Sequence, residues 1–290
     1  MRLALALLMG LLLTGATRAQ DRVAWDWSKN KSLEVEVATR LDQSLILSPQ
    51  DPSSRREIVQ KLLVTAVFGL DVVEQKPGSV KLTQSLKSLK IKAGKTETPL
   101  SLGDVKLTIT LDDKGTVTAL EGYDRLIERL GDDETRKQNL RSALSEKSLR
   151  ESIEKTLLHF PAEFLKGKTH EVSTLRDLGV LGQIRLKQTF KYDDIEVKEP
   201  NRVAVLSVTI KGEDYKVGKP ERALYQVESG RLTRCEGSGK VRFDLKAGRL
   251  ENAETRVTLQ GSFTLKDERA TWNGELEQTQ TITVKVLPRK

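Results

Sequence analysis

The chain has 290 residues, and its 49 Lys and Arg exceed its 41 Asp and Glu, which gives a net charge of +8. Acidic residues are interspersed with basic ones and no basic run is long, so this charge predicts a well-solvated surface rather than a nucleic-acid site. The small aromatic fraction, 4%, also argues against a stacking platform for single-stranded nucleic acid. Cys235 is the single cysteine, which excludes an intramolecular disulfide.

The chain begins with a predicted export signal. Arg2 precedes an apolar run, Leu3 to Leu13, and the small residues of Thr14 to Ala19 follow as a cleavage pattern. We therefore predict a signal peptide at 1–19 and a single β-rich domain at 20–290. No Cys follows the apolar run, so a lipid anchor is not predicted, and no later window has the roughly 20 apolar residues of a membrane span. We expect a periplasmic or secreted protein without a transmembrane anchor.

The first half of the domain contains two predicted hairpins. The stretch 54–76 fits a helix in part, but its many β-branched residues favour a long strand that pairs with 79–93 through Pro77-Gly78, and both alternatives remain open. The turn from Asp112 to Gly115 predicts the second hairpin. Its carboxylates lack the regular spacing of a calcium loop, so a turn is the favoured interpretation.

Residues 123–160 change to a helical pattern. Apolar residues recur at three to five positions among Lys, Arg and Glu, which predicts an amphipathic helix with breaks near Gly131 and before Ser148. Its apolar stripe must be buried, and the concave face of the sheet is the available partner.

The stretch 223–287 predicts a β-meander of unusually long strands. Apolar and polar side chains alternate with a period of two, which is typical of antiparallel strands with one buried face and one wet face. The turns are predicted at Glu228-Ser229-Gly230, Lys246-Ala247-Gly248 and Lys266-Asp267-Glu268. Strands of about 15 residues cannot form a flat sheet, because twist accumulates along them. The sheet should therefore curl.

Together these elements predict an α+β fold with strands at 32–120, a helical segment at 123–160 and strands at 168–287. The sheet would be a long, strongly curved antiparallel half-barrel with the one amphipathic helical segment against its concave face. Such a cavity would be apolar and suit a lipid, an acyl chain or another apolar ligand. The predicted lining comes from the last strands: Val241, Phe243, Leu245, Val257, Leu259, Phe263, Leu265, Trp272, Leu276, Ile282 and Val284.

Catalytic motifs are missing from the sequence. His159 and His170 do not have the spacing of zinc ligands, and no phosphate loop, dinucleotide fingerprint or nucleophile elbow occurs. We therefore predict a protein that is not an enzyme, with no catalytic residues, no cofactor and no metal site.

The chain resembles a domain-of-unknown-function family of exported bacterial proteins of the planctomycete type. The resemblance lies in the segment Ser238 to Leu250, the strands at 258–265 and 278–286, and the strand at 117–124. The arrangement is also similar to the LolA-like half-barrels, which are periplasmic carriers of lipoproteins and lipids. No functional residue is carried over from either resemblance.

Two functional hypotheses remain open. The length and one-sided apolarity of the final strands favour a non-enzymatic protein that holds a hydrophobic or amphipathic ligand in the half-barrel. The alternative is a structural or protein-interaction module of the cell envelope, with an envelope protein as its partner, whose barrel is filled by its own helix.

Overall fold

The computed structural model describes residues 21–49, 55–100, 105–131, 133–143, 145–157, 164–178, 181–198, 201–218, 226–266 and 270–287. These residues form a 12-stranded antiparallel sheet, which is curved and not closed, and three helices. The predicted signal peptide lies outside the described residues. Within the ranges above, none of the helices has the length and apolar character needed to cross a membrane.

The elements in chain order are β1 (Ser32–Pro49), β2 (Arg56–Lys76), β3 (Ser79–Ala93), β4 (Thr96–Leu100), β5 (Lys106–Asp112), β6 (Val117–Glu121), α1 (Tyr123–Leu130), α2 (Glu134–Ala143), α3 (Glu146–Leu157), β7 (Thr169–Asp177), β8 (Gly182–Lys198), β9 (Asn201–Val217), β10 (Gln226–Asp244), β11 (Arg249–Lys266) and β12 (Thr271–Leu287).

The sheet consists of two meanders that are joined through the first and last strands. Its order is β6-β5-β3-β2-β1-β12-β11-β10-β9-β8-β7, and β4 pairs with β3 beside this path. β1 pairs with β12 from Glu34 opposite Leu287 to Pro49 opposite Trp272. The first and last strands therefore lie in the middle of the sheet, and the helical segment connects its two edges, β6 and β7.

The stretch that fitted both helix and strand is a strand. β2 covers Arg56–Lys76 and pairs with both β1 and β3, which confirms the long hairpin. Gly78 makes the turn with a φ of 76°, a left-handed conformation that glycine adopts without steric cost. The second hairpin is also confirmed, because an Asp112 carboxylate oxygen accepts the backbone N–H groups of Lys114 and Thr116 at 2.9 and 2.8 Å.

One predicted turn is wrong. Glu228-Ser229-Gly230 lies inside β10, where a register shift between Val227 and Ser229 marks a β-bulge. The bulge absorbs the extra residue without reversing the chain. Gly230 serves close packing there, since an added Cβ would lie 2.6 Å from the Phe263 ring. The turn at Lys246-Ala247-Gly248 is confirmed, and most of the predicted third turn lies outside the described residues.

The segment predicted as one helical unit consists of three helices. α1 ends at Leu130 next to Gly131, which agrees with the predicted break. The second break lies earlier than predicted, because α3 begins at Glu146 and already contains Ser148. Arg150 donates to Glu146 at 2.6 Å one turn earlier, and this pair supports the first turns of α3.

The buried apolar residues form three clusters: a small one of Val105, Leu107 and Leu126 beside α1, and two of different size on the long strands. The main core includes Leu33 and Val35 at the start of β1, Val284 near the end of β12, and Ile153 of α3. We call this end of the long strands the covered end. A smaller cluster contains Leu47, Val227, Phe263, Leu265 and Leu276, at the opposite end of the same strands. We call that opposite end the open end.

Candidate functional site

The inner face of the sheet is the face that carries both clusters. Cα partners on neighbouring antiparallel strands lie on the same face, so the register follows this face across the sheet. Val241 lies opposite Ala253, and Ala253 lies opposite Val284. Towards the open end the same face carries Phe263 opposite Gly274.

At the covered end the inner face is occupied by α3. Ile153 and Leu157 are buried and line a crevice with Val35, Phe68, Leu70 and Gln84. This crevice measures about 10 Å³, which is roughly the room that one water molecule needs. Gln84 Oε1 is buried there without a hydrogen-bond partner among the described residues.

Two contacts fix α3 in place. The backbone N–H of Val117 on β6 donates to Glu154 at 2.7 Å. The Trp25 indole donates to the carbonyl oxygen of Leu157 at 2.7 Å, and Leu157 is the last residue of α3. Because the last carbonyls of a helix have no intrahelical partner, Trp25 acts as a cap. Trp25 in turn stacks on Trp27 at 4.8 Å and meets the edge of Phe243.

The open end of β2 is uncovered on both faces. Ile58 lies opposite Leu45 on the inner face and is 50% exposed. Val59 is the next residue, so it points to the outer face, and it is 59% exposed. Beyond Gln60, which shares the inner face, Leu62 and Val64 of β2 are apolar and partly buried.

The predicted lining residues all pack on the inner side, and most of them are buried. Leu245, Trp272 and Ile282 are partly buried. The other predicted lining residues are buried, each with less than one-tenth of its surface exposed: Val241, Phe243, Val257, Leu259, Phe263, Leu265, Leu276 and Val284. Among the described residues, the exposed large apolar side chains of the inner face are therefore found on β2, at Ile58, and at the end of β8, at Val197, rather than on the last strands.

Between the two clusters the inner face carries polar residues that the sequence analysis did not single out. Gln278 lies opposite Gln43, and Gln43 lies opposite Gln60, so three glutamines occupy one row of neighbouring strands. Gln278 is only 8% exposed. The alternation of the strand predicts that Gln278 faces inwards, because it lies two residues after the inward-facing Leu276.

Cys235 and Arg176 lie on the inner face in the other half of the sheet. Leu259 lies opposite both Gln278 and Cys235. Burial raises the pKa of Cys235 to about 11, so its thiol stays protonated at neutral pH, as expected for a small buried residue. Arg176 on β7 lies close enough to influence the pKa of this thiol. Within the ranges that the structure describes, no group of three or more metal-ligating side chains is found.

Comparison with known proteins identifies no family. No family model matches the chain, and no curated protein matches it significantly. Among solved structures, Pseudomonas aeruginosa OccK7 (OpdD) is 7% identical over 90% of this chain and 100% of its own, with a TM-score of 0.20. A BenF-like porin from Pseudomonas fluorescens Pf-5 is 7% identical over 89% of this chain and 99% of its own, with a TM-score of 0.19. Such low scores do not establish a common fold.

Proposed function

We propose that the protein is an exported, non-enzymatic binding protein that holds a hydrophobic or amphipathic ligand on the inner face of its half-barrel. The observation that carries the proposal is the exposed inner face of β2 at the open end. Ile58 is half exposed there beside Leu45, and Leu62 and Val64 add apolar surface on the far side of Gln60. Exposed apolar side chains next to polar ones on a concave face suit a hydrophobic or amphipathic ligand.

In this proposal the helical segment covers one end of the concave face and leaves the other end for the ligand. Leu157 and Ile153 are buried against the sheet at the covered end, and the remaining crevice has room for about one water molecule. The arrangement is compatible with a LolA-like half-barrel carrier, and an export signal would place such a carrier in the periplasm or outside the cell.

The proposal is tested by titrating the protein without residues 1–19 with cis-parinaric acid, a fluorescent long-chain fatty acid. Ile58→Glu would put a charge into the proposed site, where it must lose hydration when an apolar chain binds, so affinity should fall by about tenfold or more. Val59→Glu is the matched control, because Val59 is the next residue, similarly exposed and on the outer face.

Two outcomes contradict the proposal. One is the absence of any binding by the wild-type protein. The other is an equal loss of affinity in Ile58→Glu and Val59→Glu, because a site on the inner face would distinguish the two positions.

A protein-interaction module is the second candidate function. Val59 and Leu63 leave apolar surface on the outer face of β2 as well, at 59% and 37% exposure. This outer surface favours a protein partner rather than a cavity ligand. Native mass spectrometry after gentle purification separates the candidates: a copurified lipid supports the first, whereas a copurified protein that Val59→Glu removes supports the second.

A further inference from the structure

Arg176 is a charged side chain on the inner face of the sheet. Its partner on β8 is Ile184, which is 2% exposed and belongs to the main core. Since opposed residues of an antiparallel pair share a face, Arg176 points inwards with Ile184. The preceding residue, Leu175, points outwards and is 46% exposed.

The guanidinium of Arg176 has no acidic partner among the described residues. Burial lowers its pKa, and Cys235 is the titratable group that acts on it in the opposite direction. Arg242 shows the contrast: Glu196 and Glu251 lie 2.9 and 3.1 Å from its guanidinium, and the hydrogen bond that Arg242 donates to Glu196 is the main cause of a raised pKa. Because arginine stays charged in proteins, Arg176 places an uncompensated positive charge on the inner face.

The position of Arg176 is the border between the covered and the open end. Ile184 and Cys235 meet at Gly212, where an added Cβ would collide with both side chains. Cys235 in turn lies opposite Leu259 of β11. On its open-end side, the inner face is apolar and includes Leu232 and Leu276, which belong to or pack against the smaller cluster.

We propose that Arg176 binds the carboxylate of a long-chain carboxylic acid whose hydrocarbon chain extends along the inner face towards the open end. This inference rests on the proposed function, because it names the headgroup class of a ligand that the inner face would hold. A guanidinium offers a planar pair of donors that matches a carboxylate, and the two form strong charge-assisted hydrogen bonds.

The charge balance favours a carboxylate over a phosphate. Among the described residues, no second cationic group contributes to the pKa of Arg176. One guanidinium neutralises one carboxylate, whereas a phosphate monoester carries about −1.5 to −2 at neutral pH and would leave negative charge in the site. A neutral lipid would leave the guanidinium without a partner.

The experiment compares cis-parinaric acid with its methyl ester, which has the same chain without the charge. The proteins are wild type, Arg176→Gln and the control Arg185→Gln. Arg185 lies on the same sheet, next to Ile184 but on the outer face, where it pairs with Asp214 at 3.5 Å. We expect Arg176→Gln to weaken binding of the acid by about tenfold or more and to leave ester binding unchanged. Arg185→Gln should bind both ligands like wild type.

The outcomes separate this inference from the proposed function. If wild type binds the acid and Arg176→Gln binds it equally well, the role of Arg176 is overturned and the binding function stands. If wild type binds neither the acid nor the ester, the proposed function itself fails, and this inference fails with it.

A structural role for Arg176 is tested without any ligand. Removal of an uncompensated, partly buried charge should not destabilise the fold, so Arg176→Met should melt at the same temperature as wild type or higher. A clear fall in the melting temperature of ligand-free Arg176→Met would show that Arg176 stabilises the sheet, and it would contradict a headgroup site.

Discussion

The covered end and the open end are built from the same long strands, yet they differ in what packs on the inner face. At the covered end Ile153 and Leu157 of α3 lie against β1, β2 and β3 and leave a crevice for about one water molecule. At the open end Ile58 of β2 is half exposed although it belongs to the same face. The comparison shows that an amphipathic strand sets the polarity of a face without deciding whether that face is covered.

The largest expected difference between the ends is in core stability. Ile153→Ala removes a side chain that is 5% exposed, so it should lower the free energy of unfolding by about 2–5 kcal/mol. The matched change at the open end, Ile58→Ala, should cost about 0.5 kcal/mol, because Ile58 is 50% exposed. Urea unfolding followed by tryptophan fluorescence measures both. Equal losses would mean that the ends are not differently packed.

The cap on α3 should have the next largest effect. Trp25→Phe removes the donor to the Leu157 carbonyl at 2.7 Å and should cost about 1–3 kcal/mol beyond the lost ring area. Trp27→Phe is the control, because it replaces the indole that stacks on Trp25 with a smaller ring and leaves the hydrogen bond from Trp25 to Leu157 in place. Urea unfolding of both variants gives the difference. If Trp27→Phe is as destabilising as Trp25→Phe, the hydrogen bond does not hold the helix at the covered end.

A pH effect of intermediate size is expected from Tyr192. Burial raises its pKa to about 12 from an ordinary value of 10.0. The unfolded chain therefore loses this proton first as the pH rises, so the contribution of Tyr192 is constant below pH 10 and becomes destabilising between about pH 10 and 12. At pH 11 the effect is about 1.4 kcal/mol. From pH 8 to pH 11 the free energy of unfolding should fall less for Tyr192→Phe than for wild type. Equal falls would contradict the raised pKa of Tyr192.

The smallest predicted effect has opposite signs for two tyrosines. Tyr192 is fully buried, and its hydroxyl has no hydrogen-bond partner among the described residues. Tyr192→Phe should therefore raise the free energy of unfolding at neutral pH by about 1 kcal/mol. Tyr215 donates to the carbonyl of Leu181 near the smaller cluster, so Tyr215→Phe should lower it by a similar amount. Thermal and urea unfolding at pH 7 check the signs, and a loss in both variants would contradict the first.

Most strands were predictable because their signal is local. The β-branched residues of β2 and the alternation of the final strands identify extended chain and its apolar side without any knowledge of neighbours. The bulge at Glu228 to Gly230 was taken for a turn because a glycine beside polar residues serves both purposes. The contact between Gly230 and Phe263 of the neighbouring strand shows that this glycine allows close packing, and the sequence alone does not reveal that contact.

Arg176 was missed for a related reason. Arg176 lies within the predicted strands at 168–287, but the sequence analysis did not single it out, because a lone arginine in a strand has no local signal of burial. The alternation that includes Val172 continues to Arg176 and places it on the inner face, but its lack of an acidic partner depends on which strands surround β7.

The sequence by itself determined which side of each strand is apolar, because the side-chain period of two belongs to the extended backbone and needs no partner. Only the tertiary structure decided where that apolar side is covered. β1 and β12 lie near opposite ends of the sequence, yet they pair with each other. This pairing joins the two meanders into one sheet. α3 is tied to one end of the sheet by contacts with Val117 and Trp25, which are far from it in sequence, so the covered and open ends follow from long-range packing.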